Sequence, residues 1–283
     1  MLVICNGMPR SGSTLQYNVV RCLVDRAGRG VGHGFNSVHA GHAANPGEHA
    51  LYEWSRDADL HVLKMHEVIP SVEALLADGS AKVCYIYRDL RDAAASTKRA
   101  LAHRGPALLS ILTDAVKHYD ILHALRGKHP GGILWQRYED VYADLRAAIA
   151  ETATFLDLPD DPETVDAVHD ECSIAAADKI AATAREELER YVTTLRESDP
   201  YAAAVYLQDL RRTGGMETRI WRHPEWLLHY NHISRDKGAP GAWTRALTQS
   251  EAASIHERFG AWLIANDYHV PDPEAVDTSS QPA

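Results

Sequence analysis

The sequence predicts an α/β fold: a parallel β-sheet flanked by helices, with a helical insertion in the second half. Three observations predict it. Short apolar runs alternate with helical patterns through the first half of the chain. Such alternation builds right-handed strand–helix–strand crossovers, and hence parallel strands covered on both faces. The first apolar run ends in a turn rich in glycine and serine that leads directly into a helix. Finally, 283 residues that are 45% apolar and 24% charged supply enough material for a sizeable core.

Taken in order, residues 2–6 are apolar and bounded by Gly7, and a helical stretch follows over 13–25. A second apolar run, 61–65, precedes a helix started by Pro70 and Ser71. The third, 82–87, leads into a helix over 89–103. The fourth, 133–136, is followed by a helical pattern over 141–156. Residues 161–212 are rich in alanine and charge and hold no strand pattern. No Pro/Gly/Ser linker sets them apart, so they are read as a helical insertion, about 161–221, within a single domain of residues 1–270. Residues 233–243 return to a glycine-containing loop, and 250–266 to an amphipathic helix. The polar, proline-containing stretch 271–283 is expected to be disordered.

A formal charge of −10 argues against nucleic acid as a partner, because a phosphate backbone requires a basic surface. A small anion needs only a local group of donors and cations. Cys5, Cys22, Cys84 and Cys172 lie far apart, form no CxxC pair, and read as buried free thiols. No run approaches the ~20 apolar residues of a membrane span. The opening Leu-Val-Ile-Cys lacks the basic start of a signal peptide, and a soluble cytoplasmic protein is expected.

The most informative stretch is Gly7-Met8-Pro9-Arg10-Ser11-Gly12-Ser13-Thr14, between the first strand and the first helix. Glycines let such a loop turn its N–H groups towards one anion, and the helix adds its positive end. Ser13 and Thr14 add hydroxyls, and Arg10 is the nearby cation. The spacing nearly satisfies the GxxxxGK[ST] pattern, but Ser13 stands where lysine is required. Kinases and ATPases use that lysine, with Mg²⁺, on β- and γ-phosphates. The loop alone therefore implies a phosphate or sulfate site without naming a reaction.

Here the sequence resembles the sulfotransferases that use 3′-phosphoadenosine 5′-phosphosulfate (PAPS). Residues 9–14 resemble their 5′-phosphosulfate loop, which implies that Arg10, Ser11, Gly12, Ser13 and Thr14 bind the donor. Tyr87-Arg88-Asp89-Leu90-Arg91-Asp92-Ala93-Ala94-Ala95-Ser96 resembles the 3′-phosphate motif, in which an arginine and a serine eight residues apart bind that phosphate: Arg88 and Ser96. Residues 234–243, Ser-Arg-Asp-Lys-Gly-Ala-Pro-Gly-Ala-Trp, resemble the loop that closes over the nucleotide, which implies that role for Lys237 and the Gly238 N–H. The arginine that often precedes this lysine is replaced by Asp236, with Arg235 one residue earlier. Tyr138-Glu139-Asp140 resembles a motif whose tyrosine packs near the adenine. The resemblance implies a P-loop-like sulfotransferase fold, PAPS as donor, 3′-phosphoadenosine 5′-phosphate (PAP) as product, and no metal.

Sulfuryl transfer demands positioning and charge stabilisation rather than covalent work by the protein. Leu63-Lys64-Met65-His66 resembles the family's Lys-Thr-His, which implies His66 as general base and Lys64 as a cation beside the sulfate. Strand alternation puts both on one face. Glu53 and Glu67 are rival bases. His33, His39, His42 and His49 crowd a loop rich in glycine and alanine, at spacings that match no standard zinc pattern. Trp54, Tyr201, Tyr206, Trp221, Trp226 and Tyr230 could line a pocket for a ring or sugar, and a small-molecule or carbohydrate hydroxyl is the expected acceptor. Two alternatives stay open: a P-loop kinase acting on a small molecule, and a non-catalytic nucleotide-binding relative. Oligomeric state is not legible.

Overall fold

The computed structural model describes residues 1–37, 46–101, 103–213, 227–228 and 233–270. Among these residues five strands form one sheet: β1 (Leu2–Gly7), β2 (Gly30–Phe35), β3 (Leu60–Met65), β4 (Ala81–Tyr87) and β5 (Ile133–Arg137). Every pairing is parallel, in the order β2-β3-β1-β4-β5. The central strands are buried on both faces, which is why β1 and β3 read as continuous apolar runs rather than as alternation.

The helices are α1 (Ser13–Arg26), α2 (Gly47–Arg56), α3 (Val72–Ala77), α4 (Leu90–Leu101), α5 (Gly105–Lys128), α6 (Tyr138–Ala143), α7 (Leu145–Phe155), α8 (Pro162–Cys172), α9 (Ile174–Ser198), α10 (Pro200–Thr213), α11 (Trp243–Ala246) and α12 (Gln249–Ala265). On one face, Leu2, Ile4, Leu63 and Tyr85 pack against α3, α4, α5 and α12. On the other, Val3, Cys5, Val62 and Cys84 pack against α1, α7 and α8. From β1 the chain runs through α1 to the edge strand β2, returns to β3 beside β1, and then crosses to β4 on the opposite side of β1. The crossover direction thus reverses beside β1, and in open parallel sheets a ligand crevice lies outside the strands' carboxyl ends at such a point.

Four expectations need correction. The sheet has a fifth strand, β2, whose Gly-Val-Gly-His-Gly-Phe sequence carries three glycines and little β signal. His33 therefore lies on a strand and His49 on α2; His39 and His42 fall outside the described residues. Residues 105–128, given no predicted element, form α5. The single helix expected over 141–156 starts at Tyr138 and breaks at Asp144, whose carboxylate accepts from the Ala147 N–H at 3.0 Å and caps α7.

The stretch expected as an insertion is helical, but its first helix is part of the core: Val165, Val168 and Cys172 of α8 pack with α1 and α7. Among its described residues, α9 and α10 form a separate hairpin, closed by Leu188, Val192, Leu210 and Tyr206. The final helix begins with a reciprocal cap between Thr248 and Glu251. All four cysteines are buried and free. Among the described residues no helix is long and apolar enough to cross a membrane. Residues 271–283 lie outside the description.

Candidate functional site

The turn after β1 is built by its own backbone. Arg10 adopts a left-handed conformation (φ 67°), as does Gly12 (φ 90°). The Ser11 N–H donates to Met8 O at 3.1 Å, and its buried hydroxyl lies 2.7 Å from Met8 O and 3.0 Å from Ile86 O. Ser11 thus ties the turn to itself and to β4, and has little left to offer a ligand. Gly12 is required twice over: its φ is positive, and a Cβ there would stand 2.6 Å from the Tyr138 ring. At α1 the N-cap is Gly12, and the helix has no side-chain cap among the described residues. Its first N–H groups, with the Ser13 and Thr14 side chains in the same turn, form a donor array suited to an anion.

Three arginines converge beside this turn. The Arg10 Nε donates to the Ser96 hydroxyl at 3.0 Å, joining the turn to α4. Burial, and the fields of Arg99 and Arg88, lower the Arg10 pKa to about 10. Arg88, 6% exposed, follows β4 and lies 4.3 Å from the Tyr138 ring centroid, over its face. Its Nη2 donates to Gly238 O at 2.9 Å and sits 3.5 Å from Asp92, while its buried Nε has no hydrogen-bond partner among the described residues. A buried guanidinium N–H without an acceptor carries a desolvation cost that an incoming phosphate would remove.

The loop at 234–243 folds over Arg88. Tyr138 donates to Gly238 O at 3.0 Å, and the N–H groups of Gly241 and Trp243 donate to Asp92 at 2.7 and 2.9 Å. Burial raises the Asp92 pKa against the opposing pull of Arg88 and these two N–H groups. The loop's predicted ligands point elsewhere. The Gly238 N–H donates to Ser234 Oγ at 3.2 Å. Lys237 is exposed and sits 3.7 Å from Asp178 on α9. Arg235 is exposed, and Asp236 accepts from Arg245 at 2.6 Å. Arg91, the other arginine of the 88–92 segment, holds Asp89 through Nη2 at 2.6 Å, donates to His269 O at 2.7 Å and lies over the Trp243 ring.

At the end of β3, Lys64 and His66 share one face, as alternation requires. The His66 Nδ1 lies 2.8 Å from Gly7 O and its Nε2 3.1 Å from Lys64 Nζ. A carbonyl only accepts and an ammonium only donates, so the proton sits on Nδ1 and the Nε2 lone pair faces Lys64. Burial first, then the Lys64 charge, hold the His66 pKa at about 3. Phe35 of β2 packs on both, 5.7 Å from the His66 ring and 5.0 Å from Lys64 Nζ. From α5, His118 is hydrogen-bonded to the His66 backbone, and burial lowers its pKa.

Of the rival bases, Glu53 is exposed on α2. Glu67 is engaged, accepting from the Ser37 hydroxyl at 3.1 Å. The expected aromatic supply is scattered: Trp54 stacks on His33 at 3.8 Å, Tyr206 packs inside the α9–α10 hairpin, and Tyr201 is 80% exposed. Trp221, Trp226 and Tyr230 lie outside the described residues. Among the described residues no group of three or more His, Cys, Asp or Glu could hold a metal ion. Arg99, Asp92, Phe35 and His118 were missed. The four-residue spacing of Arg88 and Asp92 was the one available signal for Asp92. Phe35 and His118 lie on elements that were not foreseen.

No family model and no curated protein matches the chain. Solved structures do. Mouse sulfotransferase SULT7A1 complexed with PAP is similar at 12% identity and a TM-score of 0.56, over 93% of this chain and 84% of that one. Retinol dehydratase in a complex with retinol and PAP matches at 15% identity and 0.57, over 96% and 83%. Retinol dehydratase with androsterone and inactive cofactor PAP matches at 14% and 0.54, over 96% and 83%. The chain has the α/β fold of these PAP complexes.

Proposed function

We propose that the protein is a PAPS-dependent sulfotransferase that transfers a sulfuryl group to a hydroxyl of a small-molecule or carbohydrate acceptor. One observation carries the reading: the N-terminus of α1, Arg10 and the half-satisfied, buried Arg88 gather at the carboxyl ends of the three central strands with the Lys64–His66 pair. Shared fold with PAP complexes supports the nucleotide, and a neutral imidazole able to take a proton supports a hydroxyl as the nucleophile.

In this reading PAPS is a substrate. Arg10 and the N–H groups opening α1 bind its 5′-phosphate and sulfate, and Arg10 stabilises charge developing on the leaving oxygen. Arg88 and Ser96 bind the 3′-phosphate, and the 234–243 loop covers the nucleotide, with Tyr138 near the adenine. Lys237 and Arg235 would have to turn inward from their exposed positions to contribute. His66 Nε2 accepts the acceptor's proton once Lys64 turns from it to a sulfate oxygen. Lys64 thereby couples the two events: the sulfonate oxygens that draw it away belong to the group being transferred.

Calorimetric titration with PAP, against ATP with Mg²⁺, tests the reading. Metal-independent binding of PAP is expected, weakened in Arg88→Ala by about 2–3 kcal/mol. Preference for ATP with Mg²⁺ would instead establish a kinase, and PAP binding without turnover of any acceptor a non-catalytic relative.

A further inference from the structure

We propose that Arg99 is a third guanidinium for the nucleotide's 3′-phosphate, with Asp236 as its competing anion in the protein; this rests on the PAPS reading. Ser96 and Arg99 are three residues apart on α4, so their side chains rise from the same face of adjacent turns. That face meets the phosphate turn, because the Ser96 hydroxyl accepts from Arg10. It also meets the covering loop. Asp92, one turn before Ser96 on this face, accepts from the Gly241 and Trp243 N–H groups, and Arg88, just before α4, donates to Gly238 O. Asp236 lies two residues from Gly238 and reaches Arg245 at 2.6 Å.

The charges around this point do not balance. Arg10, Arg88 and Arg99 supply three positive charges within mutual electrostatic reach, and Arg10 is held below its ordinary pKa chiefly by burial. Facing them are Asp92, which lies against Arg88, and Asp236, which Arg245 holds at 2.6 Å and whose charge acts on Arg99. Like charges gathered in a partly desolvated space are unfavourable unless an anion joins them, and a phosphate dianion supplies the missing charge. Arg99 keeps solvent access and a flexible stem, so it can exchange Asp236 for a phosphate oxygen without movement of α4. The carboxylate at 236 then makes the exchange selective: a monophosphate nucleotide leaves Arg99 with Asp236.

The test is calorimetric titration of the full chain with PAP and with adenosine 5′-phosphate, which lacks the 3′-phosphate. Arg99→Ala should weaken PAP roughly tenfold and leave adenosine 5′-phosphate unchanged, with Arg99→Lys partly restoring PAP. Asp236→Ala should tighten PAP, and that gain should vanish in the Arg99→Ala background. Thermal melts of each variant check that the fold is kept. Equal losses for both nucleotides, or no loss for either, would overturn the role of Arg99. If the unaltered chain failed to prefer PAP over adenosine 5′-phosphate, the nucleotide reading itself would fall, and this proposal with it.

Discussion

His66 shows how much one hydrogen-bond pair determines. With Nδ1 donating to Gly7 O and Nε2 accepting from Lys64, the ring is locked in one tautomer and held neutral. Replacing Lys64 with Met removes the nearest positive charge and leaves Nε2 open. The His66 pKa should then rise from about 3 towards its ordinary value, although burial, the largest cause, will keep it depressed. Imidazole titration by NMR reads this directly. Turnover should fall roughly 10²-fold although the base is now stronger, because Lys64 also meets the sulfate. An unmoved pKa would mean that Lys64 does not bear on His66. The juxtaposition of these two side chains was legible, since alternation carried one residue past β3 puts positions 64 and 66 on one side. The inward engagement of Ser11 and the outward turn of Lys237 were not: both depend on partners, Ile86 and Asp178, far away in the chain.

Among the elements, the 234–243 loop depends on α4. Asp92 accepts from two of its N–H groups while facing Arg88 at 3.5 Å, so one carboxylate positions both the loop and the guanidinium beneath it. Asp92→Asn keeps the volume but halves the acceptor capacity and removes the charge. Hydrogen exchange at the Gly241 and Trp243 amides should accelerate by roughly tenfold or more, and PAP should bind more weakly, as expected for charged hydrogen bonds of about 1.5–3 kcal/mol. Unchanged exchange at both amides would show that the loop is held by other contacts. Legibility at this scale followed burial. Strands buried on both faces were readable as apolar runs, whereas the edge strand β2 was not. It is held by contacts that no local pattern encodes: the Gly34 N–H donates to Tyr17 at 2.9 Å, and His33 bonds His61 at 2.8 Å. By contrast, the apolar positions of α5, Leu108, Leu112, Ala115, Tyr119, Leu122 and Leu125, recur every three or four residues and did carry a helical signal.

Across the whole molecule, the site joins parts that are remote in sequence: the turn after β1, the start of α4, α6 and the loop before α11. The order of these segments was legible, but the strand order that brings them together was not, because it is set by which faces the helices bury. A ligand bridging such segments should stabilise the entire fold, by about 2.7 kcal/mol at a hundredfold excess over its dissociation constant. Protonation works the other way. Burial depresses the pKa of His33, His66 and His118 below 6.5, so the native state binds fewer protons than the unfolded chain. Stability should therefore be full above about pH 6.5 and decline as the pH falls below it, with the His66 contribution still being lost down to about pH 3. Melting temperatures measured from pH 8 to pH 5 should fall accordingly. PAP should raise the melting temperature at pH 7.5, and less so in Arg88→Ala. The Lys64→Met variant separates the two effects. With its His66 pKa raised, it should lose less stability between pH 7 and pH 5 than the unaltered chain. An identical pH dependence would place the acid sensitivity in other groups.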